Sequence, residues 1–236
     1  MIKNKKNSCK VLIFFSIFAK IEKSFKKRDK GEVLNKLILK TASITLASII
    51  AVSVLLFGAF WLFAPSTLAK AFNGLGNYSA SIYFYKVQYD KTGSVNDLSN
   101  LVLNIDEELD PSFAMENLGK LILHADFDEF CNAQDEKSDS KINTAEYYYG
   151  KYATLLVKNG KMANALTVCK MYVEDYFYTD YNPFKVILFE LGSTLKKQDL
   201  ELMKASIEDL LPSLFLTFKD DAMNDIERIE QLIKEI

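Results

Sequence analysis

The sequence contains a single histidine and three cysteines among its 236 residues. Charge-relay hydrolases need a histidine beside their nucleophile, and zinc sites need several His or Cys ligands at short spacing. His124 has carboxylates and Cys131 as sequence neighbours, but their spacing matches no zinc motif. Phosphate-binding glycine loops, zinc-protease motifs and serine-hydrolase motifs do not occur either. The sequence therefore predicts no catalytic residue, no cofactor and no metal site.

Glycine and proline are also scarce, with nine and four residues respectively. Turn-rich sheets need more of both, and no long stretch alternates apolar with polar residues, so strands are not expected. Asp110-Pro111 and Asn182-Pro183 are typical helix starts, because the first residue caps the helix and proline suits its first turn. Pro212 is expected to bend or split a helix. The helices expected after residue 65 are 66–75, 79–90, 95–107, 111–125, 144–158, 161–178, 183–192, 199–217 and 219–236.

Charge is distributed unevenly along the chain. Residues 1–40 contain twelve Lys or Arg and three Asp or Glu, whereas residues 70–236 contain seventeen Lys or Arg and twenty-eight Asp or Glu. The formal net charge of −2 is therefore the sum of a basic start, at +9, and an acidic remainder, at −11. Because nucleic-acid-binding proteins present basic surfaces, the acidic remainder argues against a nucleic-acid partner.

The stretch from Thr41 to Ala69 contains no charge, and its apolar part runs from Thr41 to Ala64. As a helix of 24 residues this part is about 36 Å long, which exceeds the hydrocarbon core of a bilayer, about 30 Å. A secretory signal is the alternative, but forty residues precede this stretch, and the apolar part of a signal is shorter. The part from Thr41 to Ala64 is therefore expected to be a transmembrane helix.

Positive charge lies on one side of this stretch. Lys36 and Lys40 precede it, whereas Lys70 is the only positive charge that follows it before Lys86. The positive-inside rule then predicts a single-pass protein of the cell membrane, with its N-terminus in the cytoplasm and its C-terminal domain on the extracytoplasmic side. The expected parts are a basic cytoplasmic tail at 1–40, a transmembrane helix at 41–64 and an acidic all-helical domain at 65–236.

The tail contains a second, shorter apolar run at residues 11–19. Nine residues cannot span a bilayer. Basic residues on both sides of the run favour an interfacial helix in the headgroup layer, and an unstructured tail is the alternative.

Two segments of the domain resemble the tetratricopeptide repeat (TPR). Residues 76–85 and 160–169 each place a glycine turn before the large and small residues of that repeat's second helix. Four residues upstream of Gly160 match its first helix, namely Tyr149, Tyr152, Ala153 and Leu156. The resemblance implies antiparallel helical hairpins stacked as a TPR-like solenoid. An irregular antiparallel helical bundle would show similar local spacing and is the alternative.

Proteins with such repeats generally hold a peptide or a partner protein in a concave groove. Carried onto the helix before Gly160, the resemblance places four residues on the groove side: Tyr147, Lys151, Thr154 and Lys158. It therefore implies a membrane-anchored scaffold that mediates protein–protein interaction on the extracytoplasmic side. The alternatives are an envelope-associated enzyme accessory or divergent enzyme, and a structural membrane protein that associates with itself.

The C-terminal helix contains an apolar stripe with spacings of four, three, four and three residues. Its members are Ala222, Ile226, Ile229, Ile233 and Ile236. Such a stripe either caps a stack of helices or pairs with the same stripe of a second copy, which would give a homo-oligomer.

Cys131 and Cys169 both follow the expected span, in a compartment where a disulfide can persist. The sequence does not decide whether they meet. Cys169 occupies a helix-packing position of the repeat, which favours a buried free thiol there.

Overall fold

The computed structural model describes residues 32–137, 144–176 and 182–236. These ranges form α-helices and one short 3₁₀ turn and contain no strand, which confirms the all-α prediction. The chain divides into two units, Met1–Phe63 and Ala64–Ile236. The expected interfacial helix at 11–19 lies outside the described residues.

The described part of the first unit is one long helix, α1 (Glu32–Phe63), with 32 residues. Its portion Lys36–Phe63 has a mean hydropathy of 2.4 and no buried residue in its most apolar window. Leu55 and Phe63, for example, are 73% and 85% exposed. The core helix of a soluble protein would instead be mostly buried. Among the described residues, this is the one helix that is long and apolar enough to cross a membrane, and it contains the stretch expected to do so up to Phe63.

Ten α-helices follow in the described part of the second unit. They are α2 (Pro65–Gly74), α3 (Tyr78–Thr92), α4 (Val95–Asn104), α5 (Pro111–Ile122), α6 (Phe127–Asp135), α7 (Thr144–Lys158), α8 (Met162–Asp175), α9 (Asn182–Leu191), α10 (Lys197–Leu210) and α11 (Leu216–Glu235). A 3₁₀ turn, Gly192–Thr194, follows α9. Each helix except α6 overlaps one of the helices expected from the sequence.

Local chemistry explains several of these boundaries. Pro65 is the first residue of α2, where its missing N–H needs no partner. The Asp110 carboxylate accepts the backbone N–H of Phe113 at 3.0 Å and caps α5. Gly76 and Gly160 have φ of 69° and 71°, a left-handed conformation that glycine adopts without strain. They lie in the tight turns that connect α2 to α3 and α7 to α8, as the sequence predicts.

Neighbouring helices in the sequence pack against each other through most of the second unit. Helix α3 contacts both α2 and α4, and α5 contacts both α4 and α7. Helix α7 is central, since it also contacts α6, α8 and α9. Gly119 permits the close approach of α5 to α7, because a Cβ atom there would lie 2.9 Å from the hydroxyl oxygen of Tyr152. One continuous apolar core runs through the unit, from Leu68 on α2 to Ile229 on α11.

Helix α6 was not expected from the sequence. It has only nine residues and a polar composition, so its propensity for helix is weak. Its apolar residues Phe127, Phe130 and Cys131 follow helical spacing and are all buried. Packing against the core therefore stabilises a helix that its own sequence only weakly favours.

The expected helix 199–217 is wrong at its end, whereas the effect expected of Pro212 is confirmed. Helix α10 ends at Leu210 and α11 begins at Leu216. Pro212 has no N–H to donate to the carbonyl four residues earlier, so the helix cannot continue through it.

The C-terminal stripe packs onto the chain's own core. Ala222 and Ile229 are fully buried, and Ile226 and Ile233 are partly buried against the core. Only Ile236 is mostly exposed, at 69%. The side chains of the two buried members are therefore covered by the chain's own core, and pairing of the stripe with a second copy stays a prediction.

Candidate functional site

Helix α7 carries all four residues expected to bind a partner. Most of the helix is enclosed, because four other helices contact it. Tyr148, Tyr149 and Ala153 belong to its buried side. Tyr147 lies outside this enclosure with its side chain 44% exposed. Tyrosine is one of the residue types enriched among the residues that dominate protein interfaces.

Lys151 lies one helical turn after Tyr147 and contacts its ring. The ammonium Nζ is 5.9 Å from the ring centroid, within the range of a cation–π interaction. The same Nζ lies 2.7 Å from Oε1 of Glu107, and the two side chains are only 22% and 29% exposed. Glu107 belongs to the loop between α4 and α5. Lys151 thus connects the exposed ring to a loop that lies 44 residues earlier in the sequence.

The loop that carries Glu107 has a defined conformation. The Asp106 carboxylate accepts the backbone N–H groups of Glu108 and Leu109, at 3.1 and 3.2 Å. Such side-chain-to-backbone bonds hold a turn in place. The loop that carries Glu107 is therefore held at its start by this turn and at its end by the Asp110 cap of α5.

Tyr147 also rests on a fixed support. Its ring packs edge-on against Tyr148, with centroids 5.1 Å apart and planes at 74°. The Tyr148 hydroxyl lies 2.7 Å from the Ser99 hydroxyl on α4 in a buried hydrogen bond, and burial raises the pKa of Tyr148. A ring supported in this way loses little conformational entropy when a partner covers it.

Two of the four expected residues lie elsewhere. Thr154 is buried, with 6% exposure, so the expectation that it faces a groove is wrong. It lies seven residues after Tyr147 and so on the same side of α7, but at this point of the helix that side is buried. Lys158 is exposed in the last turn of α7. The structure therefore brings Tyr147 and Lys151 together and leaves Thr154 and Lys158 outside this arrangement.

A second aromatic group was missed by sequence reasoning. Tyr172 and Tyr176 stack at the end of α8 with centroids 5.2 Å apart, and both rings contact Tyr149. The Tyr149 hydroxyl donates to the Asp175 carboxylate at 3.2 Å, and the Tyr176 hydroxyl donates to Asp128 on α6. Burial raises the pKa of Tyr149 and of Tyr176. These contacts join α6, α7 and α8, and the four-residue spacing of the two stacked tyrosines was the available signal.

Cys131 and Cys169 are expected to be unreactive. Both are free and buried, which confirms the free thiol expected at Cys169. Burial raises the pKa of Cys131 to about 12, and burial also raises that of Cys169. A protonated, enclosed thiol is a poor nucleophile.

His124 connects two turns of the chain. Its Nε2 lies 2.9 Å from the Gly93 carbonyl oxygen, and its Nδ1 accepts the backbone N–H of Asp126 at 3.1 Å. These two bonds assign the proton to Nε2. Groups of three or more metal-ligating side chains are absent from the described residues.

A cavity of about 290 Å³ lies beside this region, between the start of α4 and helix α6. Its described lining includes Ser94, Asp126 and Lys137 but no histidine or cysteine.

Comparison of the chain with protein-family models, curated proteins and solved structures gives no match. The resemblance to tetratricopeptide repeats stays a prediction, because helices joined by tight turns occur in many α-helical folds. The chain's own residues therefore provide the grounds for a function, and among them Tyr147, Lys151 and Glu107 are joined by a cation–π contact and an ion pair.

Proposed function

We propose that this chain is a membrane-anchored, TPR-like scaffold that binds a protein partner on the extracytoplasmic side. The observation that carries the proposal is the exposed ring of Tyr147, held by Tyr148 beneath it and by Lys151 beside it. The role is one of binding, with no catalytic step.

The membrane anchor is supported by the sequence on both sides of α1 and by its surface. Twelve basic residues lie in residues 1–40, which favours a cytoplasmic N-terminus. The most apolar window of the α1 portion Lys36–Phe63 contains no buried residue. In water this surface would be costly, whereas in hydrocarbon each exposed Leu, Ile or Phe contributes favourably.

The repeat-like arrangement is supported by small residues at the positions where paired helices approach. Ala69 on α2 and Ser81 on α3 are fully buried, and so are Ala153 on α7 and Ala165 on α8. Each of these two helix pairs is connected by a turn with a positive-φ glycine. Small residues let helix backbones come close while larger side chains fill the space beside them.

Partner binding is supported by the physical character of the Tyr147 surface. Tyrosine contributes a large apolar area and a polar hydroxyl, and residues of this type dominate the energy of many interfaces. Because Tyr147 and Lys151 are already held in place, binding orders few additional side chains.

The proposal is tested by crosslinking in intact membranes followed by purification of the full chain and identification of attached proteins. Tyr147→Ser is expected to lose partners that the unchanged chain retains. Tyr83→Ser is the matched control, because Tyr83 is 48% exposed and also packs edge-on against its neighbour Phe84. An unchanged set of partners for Tyr147→Ser contradicts the proposed surface. Protease treatment of intact cells in the same experiment is expected to remove the domain and not the tail.

Recovery of nothing but further copies of this chain would instead favour a structural, self-associating protein.

A further inference from the structure

We propose that the partner presents a basic peptide segment carrying one apolar or aromatic side chain, and that this segment binds beside Tyr147 at the acidic loop of residues 106–110. The inference rests on the proposed function and specifies the chemistry of its partner. We call the area formed by Tyr147, Leu109 and this loop the Tyr147 patch.

The Tyr147 patch contains two exposed apolar side chains. Tyr147 is 44% exposed, and Leu109 is 82% exposed. Leu109 lies two residues after Glu107, which the 2.7 Å ion pair with Lys151 holds against α7. Its backbone N–H is bound by the Asp106 carboxylate. The exposed leucine is therefore held on the loop that contacts α7, where a partner side chain can cover it.

The negative charge of the Tyr147 patch favours a basic partner segment. The loop contains four carboxylates within five residues, namely Asp106, Glu107, Glu108 and Asp110. Lys151 is ion-paired with Glu107, and Asp106, Glu108 and Asp110 are exposed. Asp106 and Asp110 accept backbone N–H groups, which leaves their negative charge in place. A segment with Lys or Arg gains from this field, whereas an acidic segment is repelled.

The same charge disfavours the other candidate partner, a lipid surface. Membrane-binding patches combine apolar side chains with Lys or Arg, which attract anionic headgroups. The Tyr147 patch combines apolar side chains with carboxylates, which repel such headgroups. A protein segment is therefore the partner that the patch fits.

The test measures binding of three labelled synthetic peptides to the full chain in neutral phosphatidylcholine nanodiscs, by fluorescence anisotropy. Each peptide has a central leucine and phenylalanine flanked on both sides by two lysines, two serines or two glutamates. The lysine peptide is expected to bind most tightly and to weaken as salt is added. Empty nanodiscs correct for binding to lipid.

Two variants assign the binding to the Tyr147 patch. Glu108→Gln is expected to weaken the lysine peptide by about threefold, because one exposed charge is removed. Leu109→Ser is expected to weaken it by about tenfold, because an apolar anchor is lost. Their matched controls are Glu201→Gln, an exposed carboxylate on α10, and Leu75→Ser, an 80% exposed leucine in another turn. Both controls are expected to bind like the unchanged chain.

Equal binding of the three peptides, preference for the glutamate or serine peptide, absence of binding, or an equal effect of the control variants overturns the inference. These results are separable from the fate of the proposed function. If Tyr147→Ser still loses its partners in membranes while the lysine peptide fails to bind, the scaffold stands and the basic character of its partner is wrong. If both experiments fail, both proposals fall.

Discussion

The Nζ atom of Lys151 lies 2.7 Å from Oε1 of Glu107, and both side chains are less than one third exposed. This contact joins the central helix α7 to a loop that the sequence places 44 residues away. It also fixes the cation beside the exposed ring of Tyr147.

We expect a double-mutant cycle of Lys151→Met and Glu107→Gln to give a coupling free energy of about 0.5–1 kcal/mol in unfolding of the full chain in detergent. The pair is partly shielded from water, so its interaction exceeds that of a fully exposed pair. Lys86 and Asp90 provide the control, since they form an ion pair one turn apart with both side chains about half exposed. Their coupling is expected at about 0.3–0.5 kcal/mol. A Lys151–Glu107 coupling below that of the control pair would contradict this prediction.

Two buried serines on neighbouring helices are expected to respond oppositely to the same substitution. The Ser81 hydroxyl is buried and has no hydrogen-bond partner among the described residues, whereas the Ser99 hydroxyl is bonded to Tyr148. Ser81→Ala is expected to raise the free energy of unfolding by about 1 kcal/mol, because an unsatisfied polar group is removed. Ser99→Ala is expected to lower it by about 1–2 kcal/mol, because the Tyr148 hydroxyl then lacks its partner. Thermal unfolding compares the two, and a loss of stability in Ser81→Ala contradicts the assignment.

We expect the stability of the domain to fall as the pH rises above about 8.5, the ordinary thiol pKa. Burial raises the pKa of Cys131 to about 12, so between these two values the unfolded state has lost a proton that the folded state keeps. The stabilising contribution is fully present below about pH 8.5 and is lost as the pH approaches 12. Denaturant unfolding is measured at successive pH values in a Cys9→Ser background. The free energy of unfolding is expected to fall less steeply with pH in Cys131→Ala than in the chain that keeps Cys131. A Cys131→Ala slope equal to that of the unchanged thiol is the result that would falsify this reading.

Substitution of two residues of the C-terminal stripe is expected to affect stability differently, because one belongs to the core and the other to the surface. Ile229 is fully buried, whereas Ile236 is 69% exposed. Ile229→Ala is expected to cost about 2–5 kcal/mol of unfolding free energy, because it leaves a cavity. Ile236→Ala is expected to change stability by less than about 0.5 kcal/mol. Light scattering of the detergent-solubilised chain checks the alternative of self-association, which predicts a change in oligomeric state for Ile236→Ala.

Local features of the sequence were sufficient for most of the helices. Asp110 before Pro111 places a capping carboxylate beside a backbone N–H, and this depends on neighbouring residues alone. The same is true of Gly76 and Gly160, whose left-handed conformation ends the preceding helix and lets the chain reverse direction. The long charge-free stretch likewise predicts an apolar helix from its length and composition.

Contacts between distant parts of the chain decided what the sequence pattern could not. Tyr147 and Thr154 share one face of α7 by their spacing, yet one ring is exposed and the other side chain is buried, because different neighbours lie along that face. Helix α6 forms although its nine residues give weak propensity, since the core covers its aromatic side. The pairing of Lys151 with Glu107 depends on how α7 packs beside the α4–α5 loop, and residue spacing contains no information on that packing.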